Sequence, residues 1–358
     1  MGLAAGPQRR QDRLSGPRAL VATALVATTG AVLAACSGGA TPGLEPAGPR
    51  PSGTSVLVTS GVRYAAAPPG WSDPTFDLYL PADAGQPPVA VIVPDAATGA
   101  TAGGRGADDV ALARDLAARG VATAVVHWGV ESAELRAVVG RPAEDVVEQT
   151  ARTTAEVSCA VAVAAARTGP RVGTPARPLV VVGHGTGANA AATAVLLGAP
   201  PFPSCFEPGA TPRPIAAVLW DGDWLGAVAE DALGDGAASF LTAYSPWPSV
   251  DALPRRVHVE LGVNANRLVG QAVEVGPTSS YLTTRDPGGT LTDDLARAGA
   301  FDDGALDPVD VTRAFAVGLR DAGLLGREQE VHGEADPETM GPRVRALVAQ
   351  SVVELTRP

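Results

Sequence analysis

Residues 180–190 read Val180-Val181-Val182-Gly183-His184-Gly185-Thr186-Gly187-Ala188-Asn189-Ala190: an apolar run, three glycines at alternate positions, then small helix-forming residues. An apolar run without polar alternation suits a strand covered on both faces, and the glycines mark a tight turn out of it. The same strand–turn–helix rhythm extends outward in both directions. Upstream, residues 89–93 are wholly apolar, and 108–119 carry Leu112 and Leu116 on one helical face before the stop at Gly120. Residues 121–127 read as the next buried strand and 142–167 as a long helix. The central strand is predicted over 178–183 and its helix over 187–197. Downstream, strands are predicted over 215–220, 256–261 and 327–332, and helices over 306–322 and 337–355. The last helix lines up Val344, Leu347, Val348, Val352 and Leu355 in one stripe. Ahead of all this, β-rich runs at 56–59, 62–65 and 75–80, broken by Pro68-Pro69-Gly70, form an antiparallel lead-in. The pattern predicts an α/β fold: a mostly parallel central sheet, right-handed crossovers and helices on both faces. One stretch breaks the rhythm, residues 270–306, rich in Gly, Thr, Pro and Asp; it is either a lid or a long surface excursion.

The first 35 residues read as an address. Arg9, Arg10, Arg13 and Arg18 precede an apolar stretch over 19–35 that ends Leu33-Ala34-Ala35-Cys36. Small residues before a single cysteine resemble a bacterial lipobox, which implies lipidation of Cys36 and a new N-terminus there. The other reading is an ordinary secretory signal with an incidental cysteine. Residues 36–54, rich in Gly, Pro, Ser and Thr, form a flexible tether, and 55–358 is long enough for one α/β domain with a substantial core. The expected partner is therefore a membrane, through the lipid anchor, at the outer face of a bacterial cytoplasmic membrane.

The formal charge is −11, and residues 1–35 contribute four Arg and one Asp, so the remainder carries −14. An acidic domain of this kind is a poor ligand for nucleic acid. All 27 basic residues are arginine, which fits a GC-rich coding bias and receives no functional weight. Setting Cys36 aside leaves Cys159 and Cys205. Two cysteines in an exported domain favour a disulfide, here closing a loop of about 46 residues; the alternative is two separate buried thiols. No metal-ligand spacing and no phosphate-binding glycine loop occurs, so no metal and no cofactor is expected.

The strand–glycine turn–helix unit at 180–190 has the layout of a nucleophile elbow, G-x-S-x-G, with Gly185 at the serine position. Around it, Phe76-Asp77-Leu78-Tyr79-Leu80-Pro81-Ala82, the helix–strand phrase over 112–126 and the helix over 156–166 follow in the order found in bacterial carboxylesterases and lipases. From about residue 75 onward the chain resembles the α/β-hydrolase family. That resemblance implies an elbow at Gly183, His184, Gly185, Thr186 and Gly187, with an oxyanion loop at Pro94, Asp95, Ala96 and Ala97.

Each chemical part departs from the family pattern. Gly185 has no side chain to attack a carbonyl, although glycine keeps the positive-φ turn. Losing such a nucleophile costs about a million-fold in rate. Thr186 stands where the family supplies a backbone N–H, and His184 reads as a packed structural histidine. At the oxyanion loop, Pro94 lacks a donor. Asp95 either places a carboxylate near the developing charge, or turns to solvent or caps a turn. The segment Gly262-Val263-Asn264-Ala265-Asn266-Arg267 has no carboxylate where the acid is expected. Asp221 and Asp223 follow the preceding strand; Asp223 is the better placed, with a turn-forming role as its alternative. At the histidine position, aligning the family's Gly-x-x-His on Gly333 puts Asp336 in the catalytic place and leaves His332 inside the strand. The opposite phase turns His332 into the pocket. Trp220, Trp224, Trp247 and Tyr244 read either as ordinary packing or as an aromatic rim.

Three functions follow. The first is a surface lipoprotein that keeps the fold without serine-hydrolase chemistry and binds a small molecule or an envelope protein. The second is an active esterase-like hydrolase with a non-standard site. The third is an envelope scaffold that uses its outer surface. Fold alone does not choose among them.

Overall fold

The computed structural model describes residues 55–66, 73–82, 85–95, 106–128, 143–168, 177–198, 202, 204–207, 213–222, 224, 257–264, 308–332 and 340–357. Among them are the strands β1 (Val56–Arg63), β2 (Thr75–Pro81), β3 (Val89–Val93), β4 (Ala122–His127), β5 (Leu179–His184), β6 (Ala216–Trp220), β7 (His258–Asn264) and β8 (Leu325–Val331). The helices are α1 (Ala107–Ala118), α2 (Ala143–Thr168), α3 (Thr186–Ala192), α4 (Pro308–Asp321) and α5 (Gly341–Thr356). The strands form one sheet in the order β1-β2-β4-β3-β5-β6-β7-β8. β1 and β2 are antiparallel to their neighbours, and every pairing from β4 to β8 is parallel.

The central parallel strands β3, β5 and β6 are buried on both sides because both sides are covered. Successive side chains point to opposite faces. Val89, Val91, Val93, Val181, Ala217 and Leu219 meet α2, α3 and α4 in one core. Ala90, Ile92, Val180, Val182, Val218 and Trp220 meet α1 and α5 in the other. The predicted stripe of the last helix packs here, with Val344, Val348 and Val352 fully buried and Leu347 and Leu355 at the margin. Each such side chain contributes about 1.5–3 kcal/mol of burial.

Three boundaries differ from the sequence reading. The runs predicted at 56–59 and 62–65 belong to one strand, β1, whose register shifts between Thr59 and Val62. Gly61, at φ +68°, makes that irregularity and donates its N–H to the buried Asp77 carboxylate at 3.0 Å. Ala65 leaves the strand and bridges Cys205 instead. β8 begins at Leu325 and stops at Val331, so His332 lies just past its end. α3 begins at Thr186, and its continuation, Thr193–Leu197, widens to π geometry.

Cys159 of α2 and Cys205 are joined in a disulfide, with Cα atoms 5.7 Å apart. Beside it the Tyr64 hydroxyl lies 2.7 Å from Glu156 Oε1 and 2.9 Å from the His127 carbonyl. Burial first, and the Glu156 carboxylate second, push the Tyr64 phenol above its usual range. The disulfide thus ties the Cys205 segment to α2, and the chain after β1 joins both through the Tyr64–Glu156 hydrogen bond and the Ala65–Cys205 bridge. No helix among the described residues is long and apolar enough to cross a membrane. Residues 1–54, with the predicted leader, Cys36 and the tether, and the excursion at 270–306 lie outside the described residues.

The sequence separation of 46 residues between the bridged cysteines sets the size of the disulfide's effect. In the chain-entropy treatment a loop of that length contributes up to about 4 kcal/mol. The Cys159→Ser/Cys205→Ser domain is expected to melt well below the oxidised domain, and reductant should lower the melting temperature of the unmodified domain alone. Equal melting temperatures with and without reductant would contradict this.

Candidate functional site

β5 delivers the chain to a turn whose three glycines are each demanded by a contact. Gly185 sits at φ +57° and ψ −131°, caps α3, and donates its N–H to the Trp220 carbonyl at 2.9 Å. That φ favours a residue without a Cβ. A Cβ on Gly183 would lie 2.5 Å from the Ala188 Cα and 2.7 Å from the Gly187 carbonyl. A Cβ on Gly187 would run into the carbonyl oxygens of Val93 and Pro94. The outer glycines therefore let α3 press against the ends of β5 and β3.

That close approach brings Asp95 to the elbow. A Cβ built on Gly185 would lie 2.5 Å from Asp95 Cγ and 2.9 Å from Asp95 Cβ, with Oδ2 nearer still. The Asp95 carboxyl thus fills the room into which any residue-185 side chain must project. Asp95 is 2% exposed, which rules out the reading that turns it to solvent. Trp128 Nε1 donates to the Pro94 carbonyl at 2.9 Å and holds this loop from the other side. Ala96 and Ala97, the remainder of the predicted oxyanion loop, lie outside the described residues, as does the side chain of Thr186.

Three further ionisable groups gather beneath the turn. His184 is buried, and its Nε2 lies 3.5 Å from Asp221 Oδ2. Asp221 holds a left-handed φ of +55°, alone among the non-glycine residues described, and donates its N–H to the Gly262 carbonyl at 3.1 Å. Asp109, in the first turn of α1, is 3% exposed, and its Oδ1 has no hydrogen-bond partner among the described residues. Burial raises the Asp109 carboxyl to about 6; the His184 ring opposes the shift, and Asp108 and Asp95 add to it. Asp108 is itself paired with Arg345 of α5 at 2.7 Å. Asp95, Asp109, His184 and Asp221 come from four separate segments and meet only in the fold.

The elbow is legible in the sequence as a local motif; this cluster is not. His184 is packed, as expected, but with an ionisable partner. That partner is Asp221, where the sequence favours Asp223; Asp223 lies outside the described residues. Asp109 carried no signal beyond its place in a helix. His332 does not turn to the elbow: its side chain is 71% exposed, its Nε2 sits 2.8 Å from Glu330 Oε1, and its carbonyl accepts from Arg343. It belongs to the charge-laced rim of the edge strand β8, with the Arg313–Glu330, Arg320–Glu328 and Arg327–Glu354 pairs. Asp336 lies outside the described residues. Trp220 and Trp224 are buried, and Trp224 stacks on Phe315 with centroids 4.5 Å apart, so neither forms an aromatic rim. Trp247 and Tyr244 lie outside the described residues. No trio of His, Cys, Asp or Glu among the described residues is arranged to hold a metal ion.

No described protein family matches the sequence, and no curated protein matches it. Among solved structures, an esterase from the planctomycete Thermogutta terrifontis superposes with a TM-score of 0.51 at 15% identity, over 85% of this chain and 93% of that one. A thermostable esterase from Pseudomonas putida gives 0.46 at 15% identity, over 85% and 83%. Esterase B from Lactobacillus rhamnosis, in a phosphonate-inhibited form, gives 0.48 at 13% identity, over 84% and 86%. The first of these, with the strand order and the elbow, makes this an α/β-hydrolase fold. Likeness at such identity extends to the fold and no further.

Two outcomes follow from the elbow geometry. Gly185→Ser must push a side chain into Asp95 at a positive φ, and overpacking with backbone strain should cost about 2–4 kcal/mol. A chemical-denaturation series on the domain checks this, and an undiminished midpoint would contradict it. The second concerns pH. Asp109 is raised from 3.8 to about 6 on folding, so the unfolded chain loses its proton first as pH rises through that interval. Stability is fully present below the lower value, falls across the window, and above it is reduced on the order of 3 kcal/mol. Asp109→Asn should therefore raise the melting temperature at pH 7–8 and give little gain near pH 4. A gain independent of pH would assign the effect to packing instead.

Proposed function

We propose that the chain is an exported, lipid-anchored α/β-hydrolase-fold protein that has given up serine-hydrolase chemistry and acts as a binding or accessory protein of the cell envelope. One observation carries the reading: the Asp95 carboxyl occupies the volume that a nucleophile at residue 185 would need. A glycine substitution alone leaves a void that a single reversion refills. Here a buried carboxylate stands in that volume, and a negative charge is the wrong sign for stabilising an oxyanion. The ligand would enter where this fold places its crevice, outside the carboxyl ends of the parallel strands. It would be a small molecule or an envelope protein; the acidic balance of the chain disfavours nucleic acid.

The second reading, an active carboxylesterase or lipase-like hydrolase with a non-standard site, draws on the buried His184–Asp221 pair. A histidine oriented by a carboxylate is two-thirds of a triad. It is weakened by the burial of the His184 ring, which leaves a substrate no approach.

A fluorophosphonate probe separates the two. The domain from residue 55 onward is expected to take up no label and to turn over short-chain aryl esters no faster than a heat-killed control. Stoichiometric labelling, or turnover abolished by His184→Ala in a folded domain, would establish the second reading. The anchor is tested separately in the full chain, where Cys36→Ala should move the protein from the membrane fraction to the soluble exported fraction. Unchanged fractionation would exclude lipidation.

A further inference from the structure

The sheet has two margins, and the sequence treats them in opposite ways. β8 forms one, and its Arg327, Glu328 and Glu330 are drawn into ion pairs with Glu354, Arg320 and Arg313. Charge on an edge strand discourages further pairing. β1 forms the other margin, and residues 55–62 carry no charge at all. Leu57 is 56% exposed and Val58 46%, and no other large apolar side chain described is as exposed as Leu57.

Among the described residues no strand pairs with the outer side of β1, and the inner side fixes its geometry. Ala82 donates its N–H to the Ser55 carbonyl at 2.8 Å, so residues 55, 57 and 59 bond inward to β2. Bonded and non-bonded positions alternate along an antiparallel pair, so Val56 and Val58 turn their N–H and C=O groups outward. The register shift between Thr59 and Val62 ends this regular run. Residues 55–59 are thus the template, with Leu57 at its midpoint. A second copy of this chain fits it. Set antiparallel about a two-fold axis at Leu57, Val56 of each copy exchanges both backbone bonds with Val58 of the other. Leu57 then faces Leu57 in the close, non-hydrogen-bonded position, and Ser55 faces Thr59. Apolar side chains meet apolar ones, and hydroxyls meet hydroxyls. Copies of a chain with net charge −11 repel each other, and an uncharged edge is where they can meet without setting like charges together.

We propose that the chain forms a reversible two-fold dimer by antiparallel pairing of β1 with β1 of a second copy, which joins two sheets into one. The interface is isologous, the same patch on both copies. It goes beyond the proposed function and does not rest on it: β2, β4 and β3 separate β1 from the elbow strand β5. A ladder this short buries less than the ~1,200–2,000 Å² of a stable interface, so the dimer dissociates on dilution.

Sedimentation equilibrium tests this on the full chain carrying Cys36→Ala, so that no acyl chain gathers the copies. Monomer is expected to convert to dimer between micromolar and near-millimolar concentration. Leu57→Lys sets like charges directly opposite across the axis and should weaken the dimer about tenfold. Mixing Leu57→Lys with Leu57→Glu chains should recover association, which a folding defect would not. Leu57→Cys should form a covalent dimer under mild oxidant, since the paired Cα atoms lie within disulfide reach. Amide exchange read residue by residue gives the register. Val56 and Val58 should gain about tenfold in protection on concentration, while Leu57 and Thr59, bonded inward, stay protected throughout. A monomer at every concentration, or a dimer indifferent to Leu57→Lys, would overturn the pairing. So would Val56 and Val58 amides already protected in the dilute monomer, since the chain's own residues would then cover the edge.

Discussion

The approach of α3 to the ends of β3 and β5 is the constraint on which the rest of the site depends. It requires that Gly183 and Gly187 carry no Cβ, since each would drive one into backbone atoms. With that spacing set, the loop after β3 is pressed over the turn, and the Asp95 carboxyl meets Gly185. One of the two cores holds the spacing, because α3 and its continuation bury Ala188, Ala191, Val195 and Leu196 in it beside Val93 and Val181. The turn is therefore held by the packing of α3 against the strand ends.

The charge beneath the turn has a different origin. Asp109, His184 and Asp221 sit where the β5 and β6 ends meet α1, in the core that α1 shares with α5. Burying them is costly unless protons or partners compensate. The compensation is partial: His184 answers Asp221, and Asp109 is left raised. A buried carboxyl whose Oδ1 has no hydrogen-bond partner among the described residues costs stability once it ionises.

Most of the architecture was legible in the sequence because it follows from periodicity. The central parallel strands β3, β5 and β6 are readable as apolar runs, and the stripe of α5 as a helical face. β1 was read as two runs because the glycine at residue 61 looks like a break, while in the sheet it is a bulge satisfied by Asp77. The elbow was legible as a local motif; its filling was not. Asp95 and Gly185 are 90 positions apart, and only the pairing of β3 with β5 makes them neighbours. His332 was ambiguous for a related reason, because a strand's end decides which way its last side chain faces, and β8 stops one residue short of it.

The central claim is that Gly185 and Asp95 are one adaptation, each residue acceptable because of the other. A double-mutant cycle on folding stability, using Gly185→Ser, Asp95→Gly and the pair, measures that coupling directly. Asp95→Gly should restore most of what Gly185→Ser loses, giving an interaction term of about 2 kcal/mol, well outside the scatter for independent sites. Additive losses would show that the two residues do not share the volume, and the account of a filled elbow would be wrong.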